Sequence, residues 1–249
     1  MNFDLIQTTI DNGDFEVNKI DGIYLSLRSD LKTSQMTTII PVKGRGSQLR
    51  KTIEFLIDSM NQVENFNSSI IVVEISANME HLQLCREKSC SYVWISEITP
   101  RFNKCLAHNI GYCFTNAPIL HFHDSDILVN STFYSNVKQR NPDTLTALHG
   151  LRQKYVRQLS EGDSKRLFEG VNINEIISET YPPIPEEFSR RAPGGSIIVG
   201  RSLYELIGGF DSHLFTGYSV EDQFFWDKLS SVVEIQSMDE NDLIHIYNK

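Results

Sequence analysis

The sequence lacks any long apolar segment, and this absence limits how the protein can relate to membranes. No stretch reaches the roughly 18 apolar residues that a membrane-spanning helix needs. The opening Met-Asn-Phe-Asp-Leu-Ile has neither a basic start nor an apolar core, so no secretory signal peptide is predicted. We therefore expect a cytoplasmic protein whose contact with a membrane is at most peripheral, at the inner face.

Basic residues, paired cysteines and glycine-rich phosphate loops are also scarce. The net charge of −9 and the pI near 5.3 argue against a nucleic-acid partner, although metal ions could still neutralise a nucleotide diphosphate. The 4 cysteines form no C-x-x-C pair and no zinc spacing, which favours reduced thiols. Without a G-x-G-x-x-G or a G-x-x-x-x-G-K-[ST] motif, dinucleotide binding and P-loop NTPase activity are disfavoured.

Apolar residues, at 40% of the chain, suffice for a packed core, and their pattern predicts an α/β domain. From residue 37 onward, strands predicted at 37–41, 70–75, 92–95 and 118–122 alternate with helices, the first of them capped by Ser47. Such alternation predicts a parallel sheet flanked by helices, of the Rossmann type. Residues 1–36 read as an appendage packed on this core, and residues 152–169 as an exposed helical excursion.

Two acidic residues follow the fourth predicted strand of this series. Asp124 and Asp126 come directly after an apolar run, at the carboxyl end of the strand, where ligands bind in open α/β sheets. Buried unpaired charge is costly, so two carboxylates there favour a compensating divalent cation such as Mg²⁺ or Mn²⁺. The alternative is a solvated turn between strand and loop, because Asp-x-Asp also occurs by chance.

A second group of motifs lies further along the chain. Gly194 and Gly195 precede an apolar strand, where paired glycines allow a backbone to approach a ligand closely. The segment Gly208-Gly-Phe-Asp211 follows, and then Tyr218-Ser-Val-Glu-Asp222, in which an acidic pair opens a predicted helix. Taken singly, these features also fit a plain loop and a helix cap.

Taken in order, the motifs resemble the GT-A glycosyltransferases, most closely the β-1,4-galactosyltransferase family and its bacterial relatives in capsule and lipopolysaccharide synthesis. The resemblance covers residues 37 to 245. It implies a GT-A fold, with a nucleotide-binding half at 37–130 and an acceptor-binding half at 131–249. It also implies an inverting transfer of galactose or N-acetylgalactosamine from a UDP-sugar, with Mn²⁺ or Mg²⁺ as cofactor. The acceptor would be a glycan or a lipid-linked saccharide, and the oligomeric state stays open.

The resemblance implies a role for individual residues on the donor side. Asp126 and His245 would coordinate the metal, and Asp124 would reach the donor ribose or the metal shell. The residues that the resemblance places against the donor are Pro41, Lys43, Arg45, Glu74, Arg101, Asn103, Lys104, Asp124, Ser125 and Gly195.

On the acceptor side, Asp222 would contact the acceptor hydroxyl and act as the catalytic base, while Tyr218 and Glu221 would bind the acceptor. Lys104 and Tyr218 depart from the arginine and tryptophan usual in the family, so the sugar is less determined than the reaction. The neighbouring His123 is expected to pack behind the metal motif. Three alternatives stay open: a retaining GT-A transferase, a sugar nucleotidyltransferase, and a non-catalytic carbohydrate-binding domain.

Overall fold

The computed structural model describes most of the chain, with gaps that include Gly194 and Tyr218. The described residues are 7–11, 15–20, 22–96, 101–150, 156–180, 195–215, 220–238 and 243–247. The strands are β1 (Gln7–Asp11), β2 (Phe15–Ile20), β3 (Ile23–Arg28), β4 (Met36–Val42), β5 (Ser68–Ser76), β6 (Ser91–Ser96), β7 (Ile119–His123), β8 (Ile127–Leu128), β9 (Ala147–His149), β10 (Val156–Gln158), β11 (Ser196–Gly200), β12 (Gln236–Ser237) and β13 (Leu243–His245). The helices are α1 (Gly46–Asn61), α2 (Leu82–Glu87), α3 (Lys104–Cys113), α4 (Phe133–Gln139), α5 (Glu161–Phe168), α6 (Ile173–Thr180), α7 (Arg201–Leu206) and α8 (Glu221–Ser230).

A ten-stranded sheet in the order β1-β2-β3-β6-β5-β4-β7-β11-β9-β12 forms the centre of the fold. Its four middle strands, β6, β5, β4 and β7, run parallel, as the βα alternation predicts. The β-branched residues of β4 and β5 are almost all buried because helices cover both faces of a parallel sheet. The predicted fold class, an α/β fold with a central sheet flanked by helices, is confirmed.

The segment predicted as an appendage extends the same sheet. Strands β1, β2 and β3 form an antiparallel meander, and β3 pairs antiparallel with β6. Gly22 lies in the turn between β2 and β3 with a φ of 74°, a conformation that glycine adopts without steric cost. Because Leu25 and Leu31 are buried in the common core, the described part of this segment is integral to the fold.

The other edge of the sheet positions the acidic motif. Strand β11 runs antiparallel to β7, with Ser196 opposite His123, and the backbone N–H of Asp124 donates to the carbonyl of Gly195 at 2.8 Å. A separate three-stranded sheet, in the order β10-β13-β8, begins directly after the acidic motif, because β8 follows Asp126 in the chain. The helix predicted at 152–169 is only partly right, because β10 precedes α5 there and pairs with β13.

Gly111 sets how closely α3 packs on the central sheet. A Cβ added at this position would lie 2.4 Å from Cγ2 of Ile39 and 3.2 Å from Cγ2 of Val73. Replacement of Gly111 by alanine should therefore lower the free energy of unfolding in urea by about 1–3 kcal/mol, the usual range for overpacking. The control is Gly162→Ala in α5, where an added Cβ meets only Ser160 Oγ, at 3.8 Å, and the higher helix propensity of alanine should stabilise. Equal effects of the two changes would contradict this account of α3 packing.

Buried histidines, among them His108 and His121, are expected to make the stability of the fold depend on pH. Burial lowers the pKa of His108, with a smaller contribution from Lys104, and burial together with His123 lowers the pKa of His121. Below the unfolded pKa of about 6.5, the unfolded chain takes up protons that the folded chain does not. The free energy of unfolding should therefore not depend on these histidines above that pH. As the pH drops below it, the free energy should fall by about 1.4 kcal/mol per pH unit for each histidine.

This pH dependence can be measured as the urea unfolding free energy between pH 7 and pH 5. His108 stacks on Phe210 with a ring distance of 4.6 Å, so His108→Phe keeps an aromatic ring there and should remove one histidine's share of the slope. The exposed His213→Gln is the matched control and should leave the slope unchanged. A flat profile in the native sequence would contradict the prediction.

Candidate active site

A polar cleft of about 370 Å³ opens at the carboxyl ends of the central strands. The loop after β4, the turn after β7, the first residues of α3 and α8, and the end of β13 all contribute to it. The residues that line it are Pro41, Lys43, Arg45, Phe102, Lys104, Asp124, Ser125, Asp126, Glu221, Asp222 and His245. The fold therefore brings ten residues predicted from the sequence into one cleft and adds Phe102, whose role the sequence reasoning did not assign.

Asp126 and His245 meet on one wall of this cleft. Strand β13 pairs antiparallel with β8, so that His245 lies opposite Ile127, and the N–H of Ile246 donates to the carbonyl of Asp126 at 2.9 Å. The Nε2 of His245 lies 3.3 Å from Oδ2 of Asp126, whose side chain is only 3% exposed. A nearly buried carboxylate beside an imidazole is a donor set that suits Mn²⁺, so the residues present fit a divalent metal.

Arg45 brings a positive charge into contact with Asp126. Its Nη1 donates to Oδ2 of Asp126 at 2.6 Å. Arg45 precedes α1 in the left-handed conformation, with a φ of 61°, which is uncommon for any residue other than glycine. Helix α1 thus begins at Gly46, and the prediction of Ser47 as its N-cap is wrong, because Arg45 takes that position and directs its guanidinium to the acidic motif.

The turn that carries the two aspartates is held from behind by buried groups. Thr52 of α1 donates its hydroxyl to the carbonyl of Ser125 at 3.0 Å, and Nε2 of His123 donates to the carbonyl of Ile127 at 3.0 Å. Burial lowers the pKa of His123 to about 4, with opposing contributions from the Ile127 carbonyl and Asp126, so the ring is neutral at pH 7. The prediction that His123 packs behind the motif agrees with this geometry. Sequence reasoning did not find Thr52. Its position as a polar residue on the apolar face of α1 could have indicated that it holds the turn.

Lys104 connects the acidic motif to Asp222 at the start of α8. Its Nζ lies 2.7 Å from Oδ1 of Asp124 and donates to Oδ1 and Oδ2 of Asp222 at 2.9 and 3.0 Å. Burial opposes the charge on Lys104, but the two carboxylates outweigh it and raise the pKa of the lysine. Burial also raises the pKa of Asp124, where the neighbouring carboxylates of Asp222 and Asp126 offset the influence of Lys104. Lys104 is therefore a charged residue shared by both sides of the cleft.

The acidic pair at the start of α8, Glu221 and Asp222, also lines the cleft. Glu221 is 5% exposed, whereas the side chain of Asp222 is 27% exposed and faces the cleft beside Lys104. Carboxylates are favourable in the first turn of a helix because of the helix dipole. A helix start thus holds Asp222 in position while leaving it accessible to a substrate.

Four residues predicted to bind the donor do not line the cleft. Glu74 is fully buried at the end of β5, and Arg101 is exposed at the edge of a gap in the described chain. Asn103 caps α3 by accepting from the N–H of Leu106 at 2.8 Å, and Gly195 binds the backbone of Asp124. Tyr218, predicted for acceptor binding, and Gly194 lie outside the described residues, so their roles stay predictions.

Comparison with solved structures identifies the fold. The catalytic domain of Drosophila β1,4-galactosyltransferase 7 in complex with xylobiose aligns with a TM-score of 0.53 and 16% identity, over 86% of this chain and 71% of that one. TarS residues 1–349 of S. aureus align with a TM-score of 0.55 and 18% identity, over 85% of this chain and 60% of that one. The mannosyltransferase PcManGT of Pyrobaculum calidifontis, in complex with GDP-Man and Mn²⁺, aligns with a TM-score of 0.53 and 14% identity, over 86% of this chain and 56% of that one.

These likenesses show that the chain has the GT-A fold of glycosyltransferases. The chain spans between 56% and 71% of these three structures. No family model and no curated protein matches its sequence. Within the described residues, no helix is both long and apolar enough to cross a bilayer.

Proposed function

We propose that the protein is a metal-dependent, inverting glycosyltransferase that moves a sugar from a nucleoside diphosphate sugar to a glycan acceptor. One observation carries the proposal: Asp126 with His245, and Asp222 at the start of α8, line a single cleft at the carboxyl ends of the sheet. A metal-binding pair and an accessible carboxylate in one cleft are the two parts that such a reaction needs.

The donor side of the cleft has to stabilise a leaving diphosphate. A bound Mn²⁺ or Mg²⁺ would supply Lewis-acid stabilisation of the negative charge that develops on this group. Asp126 and His245 would hold the metal, and Lys43 and Arg45 line the same wall and add positive charge toward the diphosphate. Asp124 would bind a ribose hydroxyl of the donor, which its 27% exposed side chain supports.

The acceptor side has to remove a proton from the attacking hydroxyl. Asp222 would take this proton as the hydroxyl oxygen attacks the anomeric carbon, as a general base within hydrogen-bond reach does. Its contact with Lys104 orients the carboxylate before substrates bind. A donor diphosphate would compete for Lys104 and leave Asp222 free to accept the proton. Glu221 would orient the acceptor, together with Tyr218.

The proposal also extends to the identity of the donor sugar and of the acceptor. The motifs in the sequence favour galactose or N-acetylgalactosamine on UDP, with a glycan or a lipid-linked saccharide as acceptor, in the synthesis of a surface polysaccharide such as a capsule. Support comes from Drosophila β1,4-galactosyltransferase 7, one of whose structures contains manganese, UDP-Gal and xylobiose. The GDP-Man complex of PcManGT indicates that this fold also accepts other donors.

The proposal is tested by incubating the protein with a panel of UDP-sugars and GDP-mannose, with Mn²⁺ and with EDTA. We expect one UDP-sugar to release UDP only with metal and with a glycan acceptor present. NMR of the product should show an inverted anomeric configuration, since Asp222 acts as the base. A retained configuration would remove that role from Asp222, and no turnover with any donor would favour a carbohydrate-binding domain.

A further inference from the structure

A second group of potential metal ligands lies apart from the cleft, where β5 ends and α2 begins. Glu74, Glu80 and His81 each offer one ligand atom, and these atoms lie within 4.8 Å of one another. None of the three residues lines the cleft that contains Asp126 and His245. The group is therefore distinct from the candidate active site.

The buried carboxylate of Glu74 accepts hydrogen bonds from neutral groups. Glu74 is 0% exposed, and its oxygens accept from the hydroxyls of Ser76 at 2.7 Å and Tyr92 at 2.5 Å. They also accept from the backbone N–H groups of Glu80 and His81, each at 3.2 Å. All of these donors are uncharged. A buried carboxylate without a cation is unfavourable, so this arrangement points to a positively charged ligand.

His81 gives an independent indication of the same kind. The residue is 3% exposed, and its Nε2 has no hydrogen-bond partner among the described residues. A buried polar atom without a partner costs about 1–3 kcal/mol unless a ligand satisfies it. An imidazole nitrogen beside two carboxylates meets that need most directly by binding a cation.

The group is also accessible from solvent. Glu80 is exposed, and Glu80 and His81 line a cavity of about 420 Å³ between the start of α1 and α2. The other residues that line this cavity are Gly46, Ser47, Arg50, Lys51, Gln83, Leu84 and Phe168. A metal held by three side chains would thus have an entry path and room for a water molecule as its fourth ligand.

We propose that Glu74, Glu80 and His81 form a Zn²⁺ site that joins the end of β5 to the start of α2. One imidazole and two carboxylates are donors that zinc accepts in four-coordinate sites completed by water. Tyr92 and Ser76 hold Glu74 from behind, as outer hydrogen bonds hold the ligands of metal sites. The site balances the charge of Glu74 whether or not the protein transfers sugars, so this inference does not rest on the proposed function.

The experiment is a calorimetric titration of Zn²⁺ into the full chain carrying Asp126→Ala, which removes the metal pair of the cleft. We expect one Zn²⁺ to bind per chain, and thermal unfolding to shift upward with added zinc. Adding Glu80→Gln should weaken zinc binding at least about tenfold. Replacing a residue that only hydrogen-bonds to a metal ligand already costs about this much affinity. Because Glu80 is exposed, this change should leave the metal-free unfolding curve unchanged.

The matched control is Glu87→Gln, which removes the same charge from exposed Glu87 at the end of α2 and should leave zinc binding intact. His81→Asn, as a second ligand variant, should also abolish the upward thermal shift. Absence of zinc binding in the Asp126→Ala protein, or binding unaffected by Glu80→Gln and His81→Asn, would overturn the proposal. In that case Glu74 would be a carboxylate stabilised by neutral donors alone.

Discussion

Replacement of Asp126 by alanine is expected to lower the rate of Mn²⁺-dependent sugar transfer by roughly 10³-fold. Stabilisation of a leaving group by a metal contributes several kcal/mol, and each 1.36 kcal/mol corresponds to about tenfold in rate. Asp126 is the nearly buried carboxylate of the metal pair, and His245 alone would hold a metal weakly. The loss should appear in kcat/KM for the donor, measured by the release of nucleoside diphosphate at saturating acceptor.

The alanine variant also removes the ion pair between Arg45 and Asp126, so its folding has to be checked by thermal unfolding without metal. Asp58→Ala, on the exposed face of α1, is the matched control and should keep full activity. Transfer by the Asp126→Ala protein at an undiminished rate with Mn²⁺ would contradict the role of this residue.

Replacement of Asp222 by asparagine is expected to reduce kcat by about 10²- to 10⁴-fold, the usual contribution of a general base. Asparagine has nearly the same shape but cannot accept the acceptor proton. Because the proposal assigns Asp222 to the acceptor and not to the metal, the affinity for UDP in the presence of Mn²⁺ should change little. The measurement is a single-turnover transfer rate, with UDP affinity determined separately by calorimetry.

Asp227→Asn is the control for this second prediction because it makes the same chemical change on the same helix. Asp227 contacts Gln223 on the exposed side of α8, away from the cleft, so its replacement should leave kcat unchanged. A loss of UDP affinity equal to the loss of kcat in Asp222→Asn would instead place Asp222 on the donor side. Full transfer activity in that variant would remove it from the mechanism altogether.

Local pattern predicted the parallel part of the fold well. The β-branched run predicted as a strand at 70–75 became β5, because burial on both faces of a sheet demands continuous apolar residues. The boundaries of β4, predicted at 37–41, extend by one residue at each end. The division at residue 130 into two functional halves stays a prediction.

Contacts in the site between residues far apart in the chain could not be predicted from the spacing of residues in the sequence. Lys104 and Asp222 are 118 positions apart, and only the packing of α8 on the core brings them together. The pairing of β13 with β8, which places His245 beside Asp126, likewise depends on a small separate sheet with no periodic signal. The order of the motifs pointed to these residues through family resemblance, whereas Glu74 was assigned to the donor by the same resemblance and lies outside the cleft.

The central claim, that the cleft binds a nucleoside diphosphate through a metal held by Asp126 and His245, is tested most directly by titrating UDP calorimetrically into the protein. The affinity should be at least about tenfold higher with Mn²⁺ than with EDTA, and this difference should vanish in the Asp126→Ala protein. Equal UDP affinity with Mn²⁺ and with EDTA in the native sequence would contradict the claim.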